Sequence, residues 1–157
     1  MADIKYNDAT AIKTCLNTAT EGTTLNALAG GSIAISNTTG DLDNGTDLDL
    51  WGDLELLVDI QVALAVGDKV AELYIVPSVD DTNFMSPDDT GDTPQAIFLV
   101  GVFECRDAVT TDQRMAIVGV PLPPRKMRFV LKNVSGQTFG ANDGHFLKCK
   151  PYKLQSV

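Results

Sequence analysis

The chain has 157 residues and a formal net charge of −9 at pH 7, a length that suits one domain able to bury a real core. The acidic balance argues against nucleic-acid binding through bulk charge, which needs a basic field to displace counterions. No apolar run approaches the roughly 20 residues of a membrane helix, so neither a nucleic acid nor a membrane is an expected partner.

Residues 1–30 are rich in Ala, Thr and Asn, show no sustained periodicity and end at Gly30-Gly31. They are expected to form an arm with weak local structure, with a first strand near Ala11–Leu16 as one possibility. Segments that order on binding can wrap large surfaces, and this one has that composition. Residues 31–157 then form the folded domain. Ser32–Ser36 is a short candidate strand, and Asn37–Gly45 is a turn-rich connection.

The clearest pattern runs from Leu48 to Val66. Even positions read Leu48, Leu50, Gly52, Leu54, Leu56, Val58, Ile60, Val62, Leu64 and Val66, and the odd ones include Asp47, Asp49, Asp53, Glu55 and Asp59. A period of two places successive side chains on opposite faces, which predicts strand with one wet face. The stretch is too long for one strand, and Gly52 marks a bulge or corner. Gly67-Asp68 predicts a tight turn, with Lys69–Val76 as the returning strand of a hairpin. That strand is apolar on both faces towards its end, so a central position is expected, closed by Pro77.

Pro77–Gln95 is a long loop rich in Pro, Asp, Ser, Thr and Gly. Strands resume at Ala96–Glu104, Arg114–Val120, Lys126–Asn133 and about His145–Tyr152, with Pro121-Leu122-Pro123-Pro124 as a stiff corner. Met127, Phe129 and Leu131 alternate with Lys126, Arg128 and Lys132, and Leu147 and Cys149 with Lys148 and Lys150, so each strand has a basic outer row. The fold expected is all-β: an antiparallel jelly-roll or β-sandwich of about eight strands with an extended N-terminal arm.

Charge is distributed unevenly. Residues 1–100 hold 17 acidic and 3 basic side chains, residues 101–157 hold 4 and 9. Self-association through complementary faces and internal cross-strand pairing both account for this.

Catalytic signals are sparse. His145 is the one histidine, and four strand residues, about 13 Å, separate it from Cys149, beyond hydrogen-bond reach. Cys15, Cys105 and Cys149 are odd in number and widely spaced, which predicts free, mostly buried thiols and no zinc pair. Asp41–Asp47 resembles a calcium loop only superficially, because glycine falls fifth and position twelve is Gly52. Asp80-Asp81 and Asp88-Asp89-Asp92 read as solvated acidic loop. Trp51 reads as a cover for the sheet at its bend, with a sugar-stacking platform as the alternative. Nothing calls for a cofactor, and no enzyme is expected. Met1-Ala2-Asp3 begins no basic-then-apolar segment, so synthesis in a cytoplasm is expected.

Several consecutive segments carry a resemblance. They are Leu73-Tyr74-Ile75-Val76-Pro77-Ser78-Val79-Asp80-Asp81-Thr82-Asn83-Phe84, the apolar stretch Ala96–Phe103, Val120-Pro121-Leu122-Pro123-Pro124, Lys126–Gly136 and Lys150-Pro151-Tyr152. In this order and spacing, over roughly residues 50–155, the chain resembles the jelly-roll decoration, or cement, proteins of tailed-phage capsids. One departure is Asp80-Asp81, where many such proteins read Asp-Gly.

The resemblance implies a virion protein on the capsid exterior, commonly a homotrimer, that clamps neighbouring major capsid protein subunits against internal DNA pressure. In such an oligomer an acidic face led by Asp47, Asp49, Asp53 and Glu55 would meet a neighbour's basic rows, Lys126, Arg128, Lys148 and Lys150. Two other readings share the architecture. One is another virion part, such as a head-fibre base or tail-associated protein, and the other is a carbohydrate-binding module.

Overall fold

The computed structural model describes residues 4–7, 11–17, 22–85, 92–141 and 144–156, with the backbone alone at 4–7 and 155–156. Ten strands follow in chain order: β1 (Ile4–Asn7), β2 (Lys13–Leu16), β3 (Ile33–Ile35), β4 (Leu42–Asp43), β5 (Trp51–Asp59), β6 (Lys69–Pro77), β7 (Leu99–Glu104), β8 (Asp112–Pro121), β9 (Lys126–Asn133) and β10 (Phe146–Ser156). A 3-10 turn, Ala96–Phe98, precedes β7.

The strands make two antiparallel sheets that pack face to face. One runs β2-β10-β5-β8, with β1 on the far end of β10; the other runs β3-β9-β6-β7, with β4 also on β9. From β5 onward every connection but β6–β7 crosses between sheets. This is the jelly-roll order, and its eight places are filled by ten segments because β10 and β9 each take two short partners. Pro151, which has no N–H to donate, falls between the stretches of β10 paired by β2 and by β1.

Alternation sets the core. Leu54, Leu56 and Val58 of β5, Leu73 and Ile75 of β6, Met127, Phe129 and Leu131 of β9, and Leu147 and Cys149 of β10 point inward and are buried together. Gly52 lies in β5 beside a register shift, but the extra residue is in β8, where Ile117 to Val120 oppose Leu54 to Gly52, so the bulge expected at Gly52 belongs to its neighbour. A Cβ at Gly52 would stand 2.8 Å from Cys149 Sγ, so only glycine lets the two strands pack this closely here. On the far side of the second sheet Tyr74, Val76, Ile35 and Val130 form a smaller buried cluster, covered by Phe84 and Phe98. That explains why β6, central as expected, reads apolar on both faces.

Strand was expected from Ala96, but Ala96–Phe98 form the 3-10 turn and β7 starts at Leu99; three larger differences separate the structure from the sequence reading. The hairpin of Leu48–Val66 with Lys69–Val76 does not form: β5 pairs with β8 and β10, β6 with β7 and β9, and residues 60–68 carry the chain from one sheet to the other. The turn at Gly67 is real, but Gly67 N–H donates to Cys105 O at 2.9 Å and so joins the chain to the end of β7. The period-two strand is also shorter than its pattern. Leu48 has φ +53° and is exposed with Leu50, while Asp49 is buried, so the alternation reverses phase before Trp51.

The third difference is residues 1–30, expected as an arm. Cys15, Leu16, Leu25 and Leu28 are buried in the main core. Thr23 N–H donates to Ile35 O (2.9 Å), Ala27 N–H to Gly140 O (2.8 Å), and Phe139 N–H to Leu28 O (3.0 Å). Cys15 and Leu16 belong to β2, which falls within the possible first strand near Ala11–Leu16, while Leu25 and Leu28 anchor an irregular stretch that no periodicity announces.

Candidate functional site

The outer face of the first sheet is built on the β5–β10 ladder. The register places Trp51 opposite Tyr152, Asp53 opposite Lys150, Glu55 opposite Lys148 and Leu57 opposite Phe146. All eight side chains alternate with the buried row and face outward. Four residues expected on the meeting surfaces of two subunits, Asp53, Glu55, Lys148 and Lys150, are therefore cross-strand neighbours within one chain, an arrangement that stabilises the ladder locally. Glu55 also pairs with Arg114 of β8. Asp53 Oδ1 accepts the Gly119 N–H at 2.9 Å, and the Lys148 ammonium lies 3.9 Å from the centre of the Phe146 ring. Exposed pairs of this kind contribute at most about 1 kcal/mol each.

The other four predicted interface residues lie elsewhere. Lys126 and Arg128 project from β9 on the outer face of the second sheet, across the sandwich from Lys148 and Lys150, so the basic residues form two rows on opposite sides. Arg128 is largely enclosed. Its Nε is 3.4 Å from Asp41 Oδ1, its guanidinium lies 4.0 Å from the Phe84 ring centre, and the two charged side chains are 13% and 0% exposed. The Ser36 hydroxyl donates to the same Asp41 oxygen at 2.6 Å and accepts the Phe129 N–H at 3.0 Å. Burial pushes the Asp41 carboxyl above its ordinary range, against the opposing pull of Ser36 and Arg128. Lys126 sits opposite Asp43. Asp47 is in a turn, where its carbonyl accepts from Lys153 Nζ at 2.6 Å.

Asp49 is 2% exposed and thus absent from the outer face. Its N–H donates to Asn44 Oδ1, and Asn44 Nδ2 donates to Asp49 O, both at 2.8 Å, and to Pro123 O at 3.0 Å. Asn44 thereby ties the entry of β5 to the exit of β8.

The remaining candidates have structural roles. Asp43 Oδ1 accepts the Gly45 N–H at 3.0 Å. Asp80 accepts from the N–H groups of Asn83 and Thr82, which hold its carboxyl well below the usual range. Asp88 and Asp89 lie outside the described residues. His145 is buried, and its Nε2 accepts the Asp59 N–H at 3.0 Å. The three cysteines are free and buried. Burial, with Asp53 and Asp49 adding to it, pushes the Cys149 thiol up to about 12, and burial beside Cys149 raises Cys15 well above its usual value. Neither forms a ready nucleophile.

No protein-family model matches the chain, and no curated protein matches it.

Two features escaped the sequence reading. One is a set of exposed apolar side chains on the long connection into β7 and at the start of that strand: Val79, Met85, Ile97 (81% exposed) and Leu99. They flank Phe84 and Phe98, which fold inward onto the sheet. The other is the pairing of Trp51 with Tyr152, whose ring centroids are 6.2 Å apart with planes 24° from parallel. Alternation identified the outward face of each strand. Only the register says which outward residues are neighbours.

Proposed function

We propose that this protein is a structural virion component that binds the outside of a phage capsid and stabilises contacts between major capsid protein subunits, acting as a homotrimer and without catalysis. The reading draws on the segments that carry the resemblance to cement proteins, which are here the consecutive strands β6 to β10 of one jelly roll. The observation that carries it is the exposed apolar group Val79, Met85, Ile97 and Leu99 on the second-sheet side. Exposed apolar residues gathered on one connection favour contact with another protein surface. They take over the adhesive role first expected of the charged rows, since Asp53 and Glu55 face Lys150 and Lys148 in the same chain and Arg128 is enclosed with Asp41.

The test is cosedimentation of the protein with expanded shells of the major capsid protein from the same genome, alongside light scattering of the free protein. The expected result is a trimer that saturates the shell at a copy number proportional to its capsomers and raises the shell's melting temperature. Ile97→Asp with Leu99→Glu should abolish binding while leaving the circular dichroism spectrum unchanged. Wild-type protein that stays in the supernatant refutes the reading. Binding at only a few copies per particle favours a head-fibre or tail position instead.

A further inference from the structure

The outer face of the first sheet is a trough. Its floor is the pair of charged rungs, Asp53 with Lys150 and Glu55 with Lys148. Ile12, just before β2 and 62% exposed, stands on one side, and Ala116 and Val118 of β8, the latter 73% exposed, stand on the other; the space between is ≈310 Å³. At one end of the floor Trp51 and Tyr152 are stacked, and they open onto a smaller pocket of ≈170 Å³ shared with Gly119 and Leu154. Gly119 keeps this end open. Its φ is +68°, and among the described residues outside its chain neighbours the nearest atom to where a Cβ would stand is the Tyr152 hydroxyl, 3.9 Å away.

We propose that this trough binds an oligosaccharide, with one pyranose ring against Trp51 and Tyr152 and the following rings over the Asp53–Lys150 and Glu55–Lys148 rungs. A pyranose offers an apolar C–H face, which suits an aromatic surface, and a rim of hydroxyls that donate and accept. Carboxylates supply acceptors and ammonium groups supply donors, and the floor alternates the two. Successive outward rungs are about 6.8 Å apart along a strand, so the three span about 14 Å, room for linked rings rather than a single one.

Other ligand classes fit less well. An extended peptide gains affinity by joining a free sheet edge, whereas the ladder under this trough is already paired on both sides of β5 and β10. A nucleic acid needs a surplus of positive charge, and this floor is balanced. The binding activity is additional to capsid attachment and does not rest on it, because it uses the opposite sheet.

Trp51 is the chain's sole tryptophan, so intrinsic fluorescence reads the trough directly. The full-length protein is titrated separately with maltopentaose, cellopentaose, chitopentaose and mannopentaose. The expected result is a saturable change in emission with at least one of them at a Kd of about 1 mM or tighter. Tyr152→Ala and Lys150→Gln should each weaken it roughly tenfold, while Leu99→Glu on the other sheet leaves it unchanged. Should Tyr152→Ala fail to fold, the surface change Lys150→Gln carries the test alone. Emission unmoved by all four sugars, or a change that survives Lys150→Gln, overturns the proposal; shell binding is measured separately, so the two readings fail independently.

Discussion

Leu25→Ala separates a core segment from a dispensable arm. Leu25 lies within the first thirty residues, is fully buried, and packs in the main core with Cys15, Leu16 and Leu28. Its N–H donates to Asn17 O at 3.1 Å, and the Leu28 N–H donates back to Leu25 O at 3.3 Å, so the surrounding backbone is held and the site can collapse only in part. A buried Leu→Ala change in such a setting costs about 3 kcal/mol, combining lost transfer energy with the cavity left behind. Set against a total stability of roughly 5–15 kcal/mol for a single domain, that is a large fraction. In urea melts followed by Trp51 fluorescence, with m of about 2 kcal/mol/M, the midpoint falls by about 1.5 M at unchanged m. The thermal midpoint falls by about 6–12 °C. Leu50→Ala, at an exposed position, serves as the control and should change stability by less than about 0.5 kcal/mol. A Leu25→Ala loss as small as the control's would mean that the segment detaches freely, and would refute the packing argument.

Four further outcomes follow from the same physics. Arg128→Met leaves the enclosed Asp41 carboxylate without its cation and should cost about 3 kcal/mol, with the double variant Arg128→Met/Asp41→Asn costing less than the sum of the singles; additive losses in a double-mutant cycle would show the pair to be uncoupled. Because burial raises Asp41 in the folded state, the folded protein holds that proton where the unfolded chain has lost it. The stability linked to Asp41 is therefore fully present below about pH 3.9 and is lost as pH rises through the folded value, so Asp41→Asn should flatten urea midpoint against pH in the weakly acid range, and parallel curves would contradict this. Ala27 has φ +56°, a conformation that disfavours a Cβ, so Ala27→Gly should raise stability by about 0.5–1 kcal/mol, whereas a lowered melting temperature would count against strain there. The buried thiols should resist a disulfide exchange reagent in the native protein and all 3 should react once it is unfolded; rapid labelling of Cys15 or Cys149 without unfolding would contradict their burial.

Much of the architecture is written locally. Period-two alternation in Leu54–Val58, Met127–Leu131 and Leu147–Cys149 dictates strands and the side each turns inward, since burial of every second side chain is a property of a single strand. The end of β6 at Pro77 follows from a residue that cannot donate to a ladder.

Tertiary structure decided the rest. Alternation cannot specify a strand's neighbours, so Gly67-Asp68 suggests a hairpin where the chain instead crosses the sandwich, and four of the eight charges expected between subunits, Asp53, Glu55, Lys148 and Lys150, face each other across β5 and β10. The phase reversal at Leu48–Leu50 is set by Asn44, whose bonds to Asp49 and Pro123 join segments distant in sequence. Leu25 and Leu28 carry no periodic signal, because an irregular segment is held by whichever cavity its few apolar side chains reach. The sequence by itself determined the middles of β5, β9 and β10 and which way each faces, because those depend on neighbours one or two positions away. Only the folded chain determined which outward faces lie side by side, and hence that Trp51, Tyr152 and the charged rungs share one trough, because strand pairing is a contest among long-range contacts that no local pattern encodes.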